Sequence, residues 1–185
     1  MVNRERALDL LKQHMAAENL RRHCLATEAI MRRLAQRLKK DEELWGLTGL
    51  LHDLDLELTR DDQSRHGLVV TGMLAKEGFP SEALQAIRAH NGEVLGIPRQ
   101  SDFDHALACA ETVTGLIVAT AMVQPDKKVA SVKPKSVKKR MKEKRFAENV
   151  NRHIIRECEH IGVPLEEFIP LSVEAMEEIA EELGL

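Results

Sequence analysis

Apolar residues recur along most of the chain at intervals of three and four, the spacing that lines one face of an α-helix, and strand-type alternation is missing. Ala7, Leu8, Leu10 and Leu11 predict a first helix between Asn3 and Met15, with Asn3 as its N-cap. A second runs from about Ala17 to Leu38 and turns Leu20, Cys24, Ala26, Ile30, Leu34 and Leu38 inward. Asp41 caps a third, striped by Leu44, Trp45, Thr48, Leu51 and Leu54, with Trp45 as a core anchor. Ser64 is expected to start a fourth helix that Gly78 and Pro80 close, and Ser81 to cap a fifth ending near His90. Asn91-Gly92 reads as a turn leading into a loop. Asp102 is expected to cap a long apolar helix, Phe103 to Val123, with the Ala, Gly and Val content of a central element, stopped by Pro125. An amphipathic helix over about Phe146 to Ile161 and an acidic one opened by Pro164 or Ser172 complete an all-α, compact multi-helix bundle.

The 185 residues fit one domain, because a core of this size buries roughly 70% of the surface exposed by the unfolded chain. The unit is 1–185, with a core at about 15–125, a basic segment at 127–145 and appended helices at 146–185. A composition of 43% hydrophobic and 31% charged residues suits a water-soluble protein, and the net charge of -3 does not select a partner. No apolar run approaches the roughly 18 to 20 residues of a bilayer span, and Met1 to Arg6 is polar rather than a signal peptide, so the expected location is cytoplasmic, with no membrane partner. Cys24, Cys109 and Cys158 lie far apart in apolar surroundings and read as buried free thiols.

Candidate chemistry changes the picture. Histidine and aspartate are poor helix formers, yet His23, His52, Asp53, His66 and His90 fall at or near the ends of successive predicted helices. A divalent metal needs imidazole and carboxylate ligands converging from several elements, and a helical bundle supplies them from facing helices. His52-Asp53 is the sharpest element. Adjacent helical residues project about 100° apart, so both can serve one centre only at a bend or helix end. The polar loop Glu57 to Gln63 follows directly. His14, His105, His153 and His160 show no such agreement.

The order His23, His52-Asp53, His66, His90 and then an acid in a long helix resembles the HD superfamily of metal-dependent phosphohydrolases, over about residues 15 to 125. The flanking text GLLHDLD, RHGLVVTGMLAKEGFP and AIRAHN is similar to its HDIG-type branch. The resemblance implies an HD-domain bundle with one or two divalent ions (Mn, Fe, Co, Zn or Mg). His23, His52, Asp53, His66, His90 and Glu111 would be the ligands, with Asp53 a possible bridge. It implies hydrolysis of a phosphomonoester or a nucleotide-type phosphoanhydride or diester by a metal-bound hydroxide, with Asp53 at the reacting centre and Asp55 or Glu57 assisting proton transfer. The diadenosine tetraphosphate hydrolases have a similar ligand layout.

Two departures stand out. The family's last ligand is Asp where this chain has Glu111, and the lysine that follows the His-Asp pair in related branches is absent from His-Asp-Leu-Asp-Leu-Glu. The alternatives are di-iron oxygenase chemistry, which some HD proteins perform, and a metal-stabilised sensor or scaffold without turnover. The partner is expected to be a small phosphorylated or nucleotide-type molecule.

Between Lys127 and Arg145, Lys and Arg dominate and Glu143 is the only acid. This stretch is read either as a patch attracting a polyanionic substrate or, preferably, as a solvated face balanced against the acidic C-terminal helix. Nucleic acid is not the expected partner, because aromatic residues are only 3% of the chain and none interleaves with these charges.

Overall fold

The computed structural model describes residues 2–185, which leaves Met1 of the expected unit outside the described residues, and contains helices without any strand among them. α1 (Arg4–His14) begins at Asn3, whose side chain accepts the Arg6 amide as expected. α2 (Glu18–Leu38) and α3 (Glu42–Leu51, capped by Asp41) make the most extensive helix pair. Glu28 of α2 is buried but compensated: Arg4 grips both its oxygens at 2.8 and 3.0 Å, and Arg32 adds a third bond at 3.0 Å.

α4 (Leu68–Lys76), α5 (Ser81–His90) and the short α6 (Gly92–Leu95) lead to α7 (Asp102–Met122). α7 packs against α2 and α5 and, later in the chain, against α8 (Pro134–Arg140), α9 (Arg152–Ile155) and α10 (Leu165–Glu178). α11 (Ala180–Leu183) closes over α2. By length and composition α7 is apolar enough to cross a membrane, contrary to the run-length expectation. Most of its apolar surface is instead taken up by neighbouring helices, which is why so much of it can be Ala, Leu, Ile or Val. At its first turn Phe103 stacks on Trp45, with ring centroids 4.8 Å apart. All three cysteines are free and buried, as expected.

Several boundaries move, each for a local reason. Residues Gln63–Arg65 form a separate 3-10 turn, because Gly67 at φ 87 breaks the helical path before α4 can start. Pro80, not Ser81, is the N-cap of α5, and Asn91-Gly92 opens α6 rather than an open turn. Ser101, not Asp102, caps α7. Its hydroxyl accepts the Asp104 amide while Asp104 accepts the amides of Gln100 and Ser101, which closes a capping box. Asp102 is instead the first helical residue and pairs with Lys40 at 3.2 Å.

The helix expected over Phe146 to Ile161 is broken. Arg152 folds back onto the carbonyls of Phe146, Ala147 and Val150, so those residues form turns ahead of α9, and a 3-10 stretch (Arg156–Ile161) follows. The basic segment carries α8, anchored by buried Val137. Its charges are not balanced by the C-terminal helices. Lys139 and Arg140 pair with Glu143, whereas Glu167, Glu178 and Glu182 pair with Arg37, Arg33 and Arg4.

Candidate metal centre

Four imidazoles and one carboxylate meet where helices end. His52 is the C-cap of α3 and His90 the last residue of α5, so each sits beside carbonyls that have no partner within their own helix. Both use the same local device: His52 Nδ1 donates to Gly49 O at 2.8 Å, and His90 Nδ1 donates to Ile87 O, in each case three residues back. His66 ends the 3-10 turn, and its Nδ1 lies 2.8 Å from Asp55 Oδ1. The Asn91 side chain donates to the carbonyls of Gln63 and His66 and so ties that turn to the end of α5.

His23 comes from the second turn of α2, and its Nδ1 lies 2.9 Å from Thr114 Oγ1 on α7. That hydroxyl already donates to Glu111 O, which leaves it only lone pairs to offer His23.

These partners have one common consequence. Each of the four rings has an acceptor at Nδ1, which therefore carries the hydrogen and leaves a lone pair on Nε2. All four Nε2 atoms converge on Asp53. Its Oδ1 is 3.3 Å from His52, 3.3 Å from His66 and 3.4 Å from His90, and its Oδ2 is 3.6 Å from His23. The Nε2 atoms approach each other in pairs, His66 with His90 at 3.0 Å and His23 with His52 at 3.3 Å. Lone pair facing lone pair is repulsive unless a cation or an added proton lies between.

Within the protein alone, His66 supplies that proton. Burial opposes it, but bonds to Asp53 and Asp55 raise its pKa to about 9. Burial drives His52 the other way, down to about 3, and although burial also works against the Asp53 carboxylate, the imidazoles hold it well below the usual range. The donor set suits a divalent transition ion, and two groups can each hold one: His23, His52 and Asp53, and Asp53, His66 and His90.

The remaining candidates occupy other places. Asp55 is fully buried, with Oδ1 on His66 and Oδ2 accepting the amides of Gly67 and Val70 at 3.0 and 2.9 Å. It therefore has no oxygen free to exchange a proton with a substrate. Its negative charge sits at the N-terminus of α4, and it orients the His66 ring. The structure does not bring Glu57 to the cluster. Its carboxylate accepts the amides of Ala16 and Ala17 ahead of α2, which holds its pKa below the ordinary value. Glu111 joins neither ligand group. It is half-buried, takes the Thr112 hydroxyl, and faces a cleft of about 290 Å³ shared with His23, Asn149 and Asn151. Burial pushes its carboxyl pKa up.

Thr114 was not singled out by sequence. Its only signal was a hydroxyl in an apolar helix, three residues beyond Glu111.

His23 is the opening of the site. Its side chain is 24% exposed, whereas His52, Asp53, His66 and His90 are all buried.

No solved structure matches the chain. The family model described as HD domain matches residues 20–122, a span holding His23, the His52-Asp53 pair, His66, His90 and Thr114. With a helical fold that gathers these side chains around one carboxylate, the chain belongs to the HD domain family.

Proposed function

We propose that this protein is a metal-dependent phosphohydrolase of the HDIG-type branch, acting on a phosphomonoester or a nucleotide-type phosphoanhydride or diester. The observation that carries the reading is the shared carboxylate: Asp53 belongs to both groups able to hold an ion and would be the ligand that two bound ions have in common. His23 and His52 complete one group, His66 and His90 the other. When bound, divalent ions supply Lewis-acid polarisation of a phosphoryl group and water acidified enough to act as a nucleophile near neutral pH.

The chain's own residues do the rest. Thr114 and Asp55 hold His23 and His66 with their Nε2 atoms turned inward. The buried walls around His52 and His90 limit solvent access to the His23 side. Glu111 stands in the cleft beside His23 without joining either group, and we assign it the proton delivered to the leaving oxygen, a role in place of those first considered for Asp55 and Glu57.

Elemental analysis of protein purified without chelator, alongside a His52→Ala control, measures how many ions the native protein holds. The same preparation is then assayed with phosphomonoesters and dinucleoside polyphosphates, with and without oxygen. Phosphate release independent of oxygen and lost in the control supports the proposal. Two iron equivalents with oxygen-dependent substrate loss replaces it with oxygenase chemistry. Bound metal with no turnover of any ester leaves a sensor or scaffold.

A further inference from the structure

His23, the exposed edge of the cluster, also borders a second space that the hydrolase reading does not use. A cavity of about 460 Å³ lies between α2 and α7, bordered by Arg22, His23 and Ala26 on one side and Thr114, Gly115 and Ala119 on the other. Small side chains create it: Ala26, Gly115 and Ala119 leave room where larger residues would bring the two helices into full contact. Met122, Met176, Leu183 and Leu185 form its apolar outer walls. The volume is in the range that encloses a small organic ligand.

Two features relate the space to an anionic ligand with an apolar body. His23 and Thr114 belong both to the cavity and to the metal centre, so a group held in the cavity is adjacent to whatever the cluster binds. Arg22 stands at the rim, where its Nη2 pairs with Glu18 at 2.6 Å while its Nε is buried and without a hydrogen-bond partner. Its guanidinium lies against Gly184 just beyond α11, where a φ of 64 favours glycine. The cavity thus has a polar rim, formed by Asn19, Arg22, His23 and Thr114, and a hydrocarbon interior. Against Ala26, Met176 and Leu183 an aryl or alkyl body is matched, whereas polar ligand atoms facing those walls would be buried unpaired.

We infer that the cavity seats the apolar organic group of a phosphate ester, an aryl or branched alkyl body of up to bicyclic size, whose phosphoryl end lies at the His23 side of the metal centre. This names the substrate class of the site and rests on the hydrolase reading for turnover, but not for binding.

The test uses the full-length metal-loaded protein and two measurements. Binding of 1-naphthylphosphonate, whose C–P bond does not hydrolyse, is followed by naphthyl fluorescence with methylphosphonate as competitor. Hydrolysis of 1-naphthyl phosphate and methyl phosphate is followed by phosphate release. Ala119→Leu, which fills the cavity, is expected to weaken naphthylphosphonate binding and to lower the naphthyl-to-methyl ratio of kcat/KM, each by about tenfold or more. Met122→Ala, at a half-exposed wall position, is expected to shift both in the same direction.

Unchanged binding and ratio in folded Ala119→Leu would overturn the inference. Should that variant fail to fold, unchanged values in Met122→Ala would do so. Naphthylphosphonate binding that depends on Ala119, with neither ester hydrolysed, keeps the cavity assignment and removes the hydrolase reading. Hydrolysis of both esters at equal efficiency, without preferential naphthyl binding, does the reverse. A concentration-dependent dimer abolished by Met122→Asp, with no naphthyl binding, would assign this face to a second copy of the chain and overturn the inference.

Discussion

Two polar clusters in this molecule are built from the same residue types with opposite outcomes. At the metal centre Asp53 faces four imidazoles, every one of which has turned its Nδ1 hydrogen outward to a carbonyl, a hydroxyl or Asp55. At the other cluster Glu157 receives donors: Arg99 Nε and Nη2 at 2.7 and 2.9 Å, and His105 Nδ1 at 2.7 Å, with His160 packed edge-on against His105. Arg99 also reaches the carbonyl of Ala89 at 2.9 Å and pairs with Glu93, which fastens the end of α5 and the loop after α6 to the 3-10 stretch at 156–161. The carboxylate of the second cluster is compensated by protein donors. That of the first faces four Nε2 atoms, of which His66 alone gains a proton within the protein. The lesson is that counting histidines and acids does not identify a metal site, whereas asking which nitrogen of each ring is free does.

The contrast can be broken most directly by removing the shared carboxylate. Asp53→Asn is expected to reduce bound metal from its native level to near none by elemental analysis and to abolish hydrolysis. Glu157→Gln should leave metal content unchanged. Next in size, Glu111→Gln should retain full metal content while kcat falls by about 10²–10⁴; loss of metal instead would make Glu111 a ligand and cancel its assignment as proton donor.

Arg99→Ala is expected to destabilise the fold by about 3–5 kcal/mol, because it leaves the mostly buried Glu157 without its main partner. Urea unfolding with and without chelator measures this, and the loss should be the same in both. Thr114→Val and Asp55→Asn remove hydrogen bonds that aim His23 and His66, and each should weaken metal binding by about 10–100-fold in a metal-buffer titration.

The smallest effect belongs to Glu57→Gln, which should leave metal affinity untouched and lower Tm slightly. Because the folded-state pKa of Glu57 is depressed, its stabilisation is present above the ordinary glutamate range and fades as pH falls through the lowered value. The Tm difference between Glu57→Gln and the native protein should therefore shrink in acid.

Much of the site was readable because His52, Asp53, His66 and His90 sit at helix ends, and helix ends are written locally. Asn3, Asp41 and the apolar stripes placed α1, α2 and the start of α3, although α3 stops at Leu51, short of the striped Leu54, which puts His52-Asp53 at its end. The errors were also local competitions, resolved by groups of similar chemistry. Ser101 with Asp104 outcompeted Asp102 for the cap of α7, and Gly67 interrupted a helix that Ser64 would otherwise have begun. The 146–150 segment failed as a helix because Arg152 took its carbonyls, a side-chain contact that periodicity does not register. Asp55 was legible as an acid near the site but not as the residue behind His66, since its partners lie eleven to fifteen positions away.

The sequence by itself determined the helical class, the order of His23, His52, Asp53, His66 and His90, and the departure at Glu111, because periodicity and residue identity are carried within short stretches of chain. Tertiary packing decided which ring nitrogens face inward, that Asp53 lies in both ligand groups, and that Glu111 stands aside in a cleft. Those outcomes depend on contacts such as the one between His23 and Thr114, 91 positions apart, and a lone pair acquires its direction only when the acceptor behind the ring has been brought into place.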